Sequence, residues 1–394
     1  MEEAQTAQKV SALASIESWL SEARPDLPTP CYIYSPSAVV ANYRGLKNAL
    51  QTPLVMSLKA CPCIELQARA AHIFRDGVEV CSIGELSRAV GLPGEIFLNT
   101  PAIDRNLMEA ALSARVTIVL DNISQFRMLA DLRTSYETKP VMIRLNTSAI
   151  NQASKPLRQG KPADHFGFDF DGALSVLRSA ACCGIEVRGI HVYRGSYSFG
   201  GNAVEAAKAT SAVVQELERS RGARFETINL GGGFPDDWSV LDGVFRPYRA
   251  AARDYFSGGQ VIHESGRALF SSAGYFAVSV VNTKVLNDRL YIVCDGGLPQ
   301  NFLLAGTEAF VRRLSKAHFM PLGAQERLPL TAQATLVGPT CSPRDVIGFL
   351  PAGTSQPISG DVCVLPNCGA YNFAYSMPTF LSSAPARQFV LATG

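Results

Sequence analysis

Lys59 closes the apolar run PLVMSLK. An amine at the C-terminal end of a buried strand stands where barrel enzymes assemble their sites. Burial there disfavours the ammonium and frees the amine for Schiff-base chemistry. A lysine at a strand end also lays its stem along apolar surface and keeps its charge in water, so position alone leaves both roles open. NLGGGF (229–234) sets three consecutive glycines after another strand. Residues without side chains let backbone N–H groups approach an anion, most often a phosphate. The spacing is not GxGxxG, so a dinucleotide fingerprint is not supported, and a plain tight turn has the same composition. HESGRALF (263–270) puts Glu264 and Arg267 at a third strand end. There a carboxylate can hold a heterocyclic nitrogen protonated and an arginine can grip a phosphate or carboxylate; a surface ion pair would use the same two residues. GPTCSPRD (338–345) presents Cys341 on a Gly-Pro turn, and GAYNF (369–373) presents Tyr371.

These segments need a scaffold that gathers strand ends. Apolar positions at Val10, Leu13, Ile16, Trp19 and Leu20 predict an amphipathic helix over 8–24, closed by Pro25, Pro28 and Pro30. Strand and helix patterns then alternate. CYIYS (31–35), TPLVMSLKA (52–60), GVEVC (77–81), EIFLNT (95–100), RVTIVLD (115–121), PVMIRLN (140–146), GIEVRGIHVY (184–193), FETINLG (225–231) and GGQVIHES (258–265) read as strands. Continuous apolar strands separated by helices are the pattern of a parallel sheet covered on its faces. About eight of them in succession fit a (β/α)₈ barrel, with a doubly wound sheet as the alternative. After about residue 272 short strands follow one another with few helical patterns between them, which predicts an antiparallel β domain.

Composition removes several classes. Of 394 residues, 47% are hydrophobic and 18% charged, which is too apolar for a disordered chain. Lys plus Arg total 36 against 34 Asp plus Glu, a net charge of +2 and too balanced for a protein built around nucleic-acid phosphates. No apolar run approaches the ~18 residues of a membrane span, and the opening MEEAQTAQKV lacks the basic start of a signal peptide. The expectation is a cytoplasmic protein that binds neither membrane nor nucleic acid. Its 10 cysteines show no paired CxxC spacing and its 5 histidines no HxxxH, so no metal site is expected.

Taken together and in order, the segments resemble the fold-type III pyridoxal-phosphate (PLP) decarboxylases, the family of diaminopimelate, ornithine and arginine decarboxylases. The resemblance runs through TPCYIYSPSAVVANYRGL, SLKACP, EVCSIGEL, GIHVYRGS, NLGGGFP, HESGR, DGG, GPTC and GAY. It implies a PLP-binding (β/α)₈ barrel of the alanine racemase type plus a C-terminal antiparallel β domain. The implied division is 1–29 as a helix and lead-in packing on the β domain, 30–272 as the barrel, and 273–394 as the β domain. The partners it implies are a small amino-acid substrate and a second copy of the chain, in a homodimer that shares its sites across the interface.

Residue by residue, the resemblance implies that Lys59 carries the PLP as a Schiff base. Gly231, Gly232 and Gly233 would cradle the phosphate, with Gly266, Arg267, Ser196 and Tyr371 close by. Glu264 would pair with the pyridine nitrogen, Glu79 would lie near the Schiff base, Tyr193 would occupy the place that stacks on the ring, and His191, matching the family's first histidine, would be a further cofactor contact. Cys341, from the neighbouring subunit, would supply a proton to Cα. Arg144, Arg194, Ser342, Arg344 and Asp345 are the implied substrate contacts.

Two departures bear on the substrate. The family usually reads GLHCHIGS, and GIHVYRGS places Tyr193 where the second histidine stacks. The family also sets Glu or Asp after the cysteine to meet a distal ammonium, and here Ser342 stands there. A hydroxyl does not replace a carboxylate facing a cation. Arg194 and Arg344 add positive charge to segments expected near the pocket. The pattern, with the closing segment MPTFLSSAP (377–385), is similar to a specialised branch of the family. That branch decarboxylates citryl-diaminopropionate in siderophore pathways or a carrier-bound glutamyl group in aminoglycoside pathways. The leading expectation is therefore an α-decarboxylase of a conjugated or carboxylate-bearing amino acid. Diaminopimelate decarboxylase, a catalytically silent regulatory homologue and an amino-acid racemase are the alternatives.

Overall fold

A computed structural model describes residues 16, 18, 19, 27–152, 164–305, 314–321, 323 and 326–392. The chain divides into two compact units. One holds 43–59 and 71–268; the other holds the described residues up to 42 together with 60–70 and 269–392.

The first unit is a closed barrel of eight parallel strands: β2 (Leu54–Ser57), β3 (Val78–Val80), β4 (Ile96–Leu98), β5 (Thr117–Leu120), β6 (Val141–Leu145), β7 (Val187–Val192), β8 (Thr227–Asn229) and β9 (Gln260–Ser265). It shuts where β9 meets β2, with Val55 opposite Glu264. The doubly wound alternative is thereby excluded. Helix starts are written locally. Ser82 accepts from the Glu85 N–H while Glu85 accepts from the Cys81 N–H at 2.7 Å, a near capping box. Asp104, Asn122 and Asp169 cap the helices Arg105–Ser113, Ile123–Leu132 and Phe170–Cys183. Gly184, at φ 67, closes the last of these in the left-handed region.

Successive strand residues face opposite sides of the barrel wall. Val55, Phe97, Val119, Met142 and Ile262 form one apolar cluster inside it. Gly189 stands in the same layer on β7, where a Cβ would lie 2.9 Å from Met142 Cε; the glycine makes room for the methionine. Two residues further along each strand, the next inward position is polar. That step from apolar layer to polar ring is the floor of the site.

The second unit is a mostly antiparallel sheet in the order β12 (His318–Met320), β15 (Val362–Leu365), β10 (Gly274–Leu286), β11 (Arg289–Cys294), β13 (Ala334–Val337), β14 (Val346–Leu350). β1 (Cys31–Tyr34) pairs antiparallel with β10 and parallel with β16 (Arg387–Val390), and β11 runs parallel to β13. CYIY therefore belongs to the sheet, which corrects the start of the barrel from residue 30 to β2. The local pattern of a buried strand is identical in either place; only the partner differs. Of the helix expected over 8–24, most lies outside the described residues. Ile16 is buried with Cys31, Ile33, Tyr275 and Leu391, and Trp19 packs against that cluster, 5.4 Å from the Phe389 ring. No helix among the described residues is long and apolar enough to cross a membrane.

Candidate active site

All eight barrel strands contribute one polar residue to the ring above the apolar layer. Lys59 follows β2, Glu79 lies on β3, and Asn99 and Asp121 stand one residue beyond β4 and β5. Arg144, His191, Asn229 and Glu264 lie on β6, β7, β8 and β9. Lys59 Nζ donates to both oxygens of Glu79, at 2.6 and 2.8 Å. Asn99 Nδ2 donates to Glu79 Oε1 at 3.3 Å and lies 3.2 Å from His191 Nε2. Asn99 Oδ1 accepts from Arg144 at 3.4 Å, and Arg144 pairs with Asp121 at 3.8 Å. His191 Nε2 lies 3.4 Å from Glu264 Oε2, and Asn229 Nδ2 donates to Glu264 Oε1 at 2.7 Å. Hydrogen bonds and the Arg144–Asp121 ion pair link the ring, and every member is buried except Lys59, whose side chain is 42% exposed.

Its charges set the protonation of two members. Burial by itself lowers the Lys59 pKa, as expected from the sequence. The Glu79 carboxylate above all, then Cys81 and Glu264, outweigh that effect and hold the ammonium well above its ordinary value. The expectation of a lysine freed by burial is thus corrected: its nearest neighbour is an ion-pair partner. Burial pushes Glu264 up, but His191, Lys59 and the Asn229 hydrogen bond reverse the shift and hold its carboxyl below the usual range. A carboxylate kept ionised in an enclosed site suits a protonated heterocyclic nitrogen.

The glycine loop follows β8. Gly231 and Gly233 take φ of 64 and 86, which side chains rarely adopt. A Cβ on Gly232 would lie 2.3 Å from the Glu264 carbonyl oxygen, and one on Gly233 2.3 Å from Ser198 Oγ. Among the described residues the N–H groups of Gly232, Gly233 and Phe234 have no partner within the chain. His191 Nδ1, deeply buried, likewise has none. Unspent donors in a cradle with no room for side chains fit a phosphate, and the lysine and carboxylate fit the rest of a pyridoxal ring. Gly266 joins β9 to the helical turn Arg267–Phe270. Arg267 pairs with Asp236 at 3.5 Å and lies over the Tyr197 ring at 4.9 Å, while Tyr197 donates to Asp236 at 2.8 Å. Tyr193 OH and Ser196 Oγ are 3.2 Å apart beside this loop.

The other expected contacts fare differently. Arg144 is inside the ring, committed to Asn99 and Asp121 and stacked 4.3 Å from the Phe166 ring. Arg194 is a correction. His191 faces inward and Val192 outward; Arg194, two residues past the end of β7, lines the same cavity as Val192, with Phe199, Ala206 and Tyr248 behind the barrel wall. In the second unit, Cys341 and Arg344 are exposed on the 338–345 loop. Asp345 is a second correction. It is buried, and its carboxylate accepts from the N–H groups of Leu298 and Thr340 and from Thr340 Oγ1, so it is consumed in shaping its own loop. Ser342 Oγ accepts from the Arg344 N–H at 3.3 Å. Tyr371 sits at φ 67, its N–H donating to the Ala60 carbonyl at 2.6 Å. Asn99, Asp121, Asn229, Cys81 and Asp236 were missed from sequence. The first three each end an apolar strand, as Lys59 does, in FLNT, IVLDN and TINLG, a pattern that ordinary strand ends share.

Residues 37–271 match the family model for the pyridoxal-binding domain of pyridoxal-dependent decarboxylases. The chain belongs to that family. Its cofactor is pyridoxal 5′-phosphate and it is an amino-acid decarboxylase. The decarboxylase is 30% identical over 391 residues to a diaminopimelate decarboxylase of Deinococcus radiodurans, covering 95% of this chain and 93% of that one. It is 28% identical over 381 residues to the L-glutamyl-[BtrI acyl-carrier protein] decarboxylase of Niallia circulans, covering 90% and 86%. A Staphylococcus aureus relative, 2-[(L-alanin-3-ylcarbamoyl)methyl]-2-hydroxybutanedioate decarboxylase, is 25% identical over 81% of this chain and 82% of its own. In fold it resembles the arginine decarboxylase of Paramecium bursaria Chlorella virus, with a TM-score of 0.78 at 17% identity over 96% of this chain and all of that one.

Proposed function

We propose that the decarboxylase removes the α-carboxylate of a conjugated or carboxylate-bearing amino acid in a specialised biosynthetic route, and that it works as a homodimer. The observation that carries the substrate reading is the 338–345 loop. Ser342 follows Cys341, Asp345 is turned inward on backbone donors, and the exposed charge beside the cysteine is Arg344. A distal ammonium would meet no free carboxylate from this loop, whereas a distal carboxylate or citryl amide would meet a cation. The relatives acting on a carrier-bound glutamyl group and on a citrate-derived amide support the same reading.

When bound, pyridoxal 5′-phosphate supplies the electron sink that lets the bond from Cα to the carboxylate break. Lys59 would hold it through Nζ, with Glu79, whose carboxylate accepts from Nζ at 2.6 and 2.8 Å, as the neighbour that orients the lysine. Glu264, oriented by Asn229 and His191, would keep a proton on the ring nitrogen. Gly231, Gly232, Gly233 and Arg267 would bind the phosphate, with Tyr193 against the ring. Cys341 of the second subunit would deliver a proton from Sγ to Cα.

A competition assay tests the substrate. An amino acid with a distal carboxylate or citryl-like amide is expected to turn over at least tenfold faster than meso-diaminopimelate, since each ~1.4 kcal/mol of mispaired charge is a factor of ten. Ser342→Glu should narrow that ratio. Preference of the wild type for meso-diaminopimelate would replace this reading with diaminopimelate decarboxylation, the activity that the Deinococcus relative is named for.

A further inference from the structure

Arg194 is a cation in an unusual place. It lines a cavity of about 30 Å³ behind the barrel wall, with Val192, Ser198, Phe199, Gly232 and Tyr248. The remaining lining comes from apolar or hydroxyl residues, chiefly alanines in the first turns of the helix Ala203–Arg221, and includes no acid. Among the described residues Arg194 has no hydrogen-bond or ion-pair partner. Burial pushes its guanidinium down, opposed by the Tyr248 oxygen. Tyr248 is already engaged, 2.7 Å from His263 Nε2, and His263 Nδ1 is 2.8 Å from Thr52 Oγ1. A half-buried cation without an anion is costly unless something else supplies the negative charge.

Gly232 is the shared boundary. It lines the Arg194 cavity, and its N–H is one of the unspent donors of the glycine loop. The Ala203–Arg221 helix begins at the same cavity, and its N-cap Asn202 makes no side-chain cap. The positive end of that helix therefore adds to the guanidinium. Meanwhile Arg267, the cation expected on the phosphate, is shared with Asp236 at 3.5 Å. One Arg paired with one Asp brings little net charge to a phosphate carrying close to two negative charges.

We propose that Arg194 supplies, from behind Gly232, the positive charge that balances the cofactor phosphate. It is a positioning residue for cofactor retention, not a substrate contact. The proposal rests on the reading of Gly231, Gly232 and Gly233 as the phosphate cradle. Through one layer of backbone a guanidinium acts on the phosphate by field, which makes charge the property that matters and hydrogen-bond geometry secondary.

The test compares two ligands on the full-length protein freed of cofactor: pyridoxal 5′-phosphate and pyridoxal, which lacks the phosphate. Affinities are read from the absorbance change on binding. Arg194→Met and Arg194→Gln should each bind pyridoxal 5′-phosphate about tenfold more weakly, equivalent to ~1.4 kcal/mol, with pyridoxal within about twofold of wild type. Arg194→Lys, which keeps the charge, should stay within about threefold for both ligands. Equal losses for the two ligands would reduce Arg194 to a packing residue, and unchanged binding of pyridoxal 5′-phosphate in both neutral variants would overturn the proposal. Arg194→Gln carries the test if Arg194→Met does not fold. Gly232→Ala separates the two layers of argument: wild-type phosphate discrimination in that variant removes the cradle, whereas its loss there beside none in Arg194→Met and Arg194→Gln removes Arg194 alone.

Discussion

Gly232→Ala is a clean perturbation because the backbone at 232, unlike that at 231 and 233, is in a conformation open to any residue. The obstacle is space alone. The added methyl would lie 2.3 Å from the Glu264 carbonyl oxygen and 3.3 Å from its carbon, both backbone atoms held in the barrel wall. Ordinary contact begins near 3.4 Å, so the loop and β9 must part by about 1 Å. Overpacking of this kind costs the fold about 1–3 kcal/mol, and a displaced backbone donor separately costs the bound phosphate a charge-assisted hydrogen bond of about 1.5–3 kcal/mol. It also displaces the unspent N–H groups and the carboxylate of Glu264 together. Each ~1.4 kcal/mol lost from the bound state is a tenfold loss of affinity, so a tenfold to hundredfold weaker hold on pyridoxal 5′-phosphate is expected. Gly84→Ala is the control. A Cβ there meets nothing within 4 Å, in the helix Ile83–Ala89, and replacing that glycine should raise stability by about 0.5–1 kcal/mol. Cofactor titration and thermal melting with and without pyridoxal 5′-phosphate read both effects. Wild-type affinity and wild-type melting in Gly232→Ala would refute the steric reasoning and the placement of the cradle with it.

Borohydride reduction of the holoenzyme followed by peptide mapping should put the pyridoxyl group on Lys59; recovery on another lysine contradicts the site. The buried His263 imidazole is lowered by burial from 6.5 to about 3, with Glu264 opposing. The unfolded chain takes up this proton below 6.5 while the folded chain does not until about 3, so stability holds above pH 6.5 and falls between 6.5 and 3. At ~1.4 kcal/mol per unit the loss approaches roughly 5 kcal/mol, and His263→Gln should unfold with a shallower acid dependence than wild type; parallel curves would count against it. For Cys341, mixing inactive Lys59→Ala and Cys341→Ala proteins should regain part of the activity through hybrid dimers, and no recovery after verified subunit exchange would place the cysteine in its own subunit.

Much of this protein was legible one segment at a time. The order of apolar strand runs and the glycine run after β8 are local properties, governed by backbone sterics, although the strands themselves are shorter than their apolar runs, as in Leu54–Ser57 within 52–60. The alternation of inward and outward residues is equally local. It stops at Val192, where β7 ends, so by itself it does not place Arg194. What the chain by itself left undecided is everything that depends on which strand lies beside which. CYIY reads the same in a barrel or a sheet, and only its pairing with β10 and β16 puts it in the sheet. Asn99, Asp121 and Asn229 are single polar residues after apolar runs, indistinguishable in sequence from ordinary strand ends. Closure of β9 on β2 brings residues as far apart as Lys59 and Glu264 into one ring, and within it Glu79 reverses the effect of burial on the lysine. Charge interactions depend on distance in space, and no spacing along the chain encodes that distance until the barrel is shut.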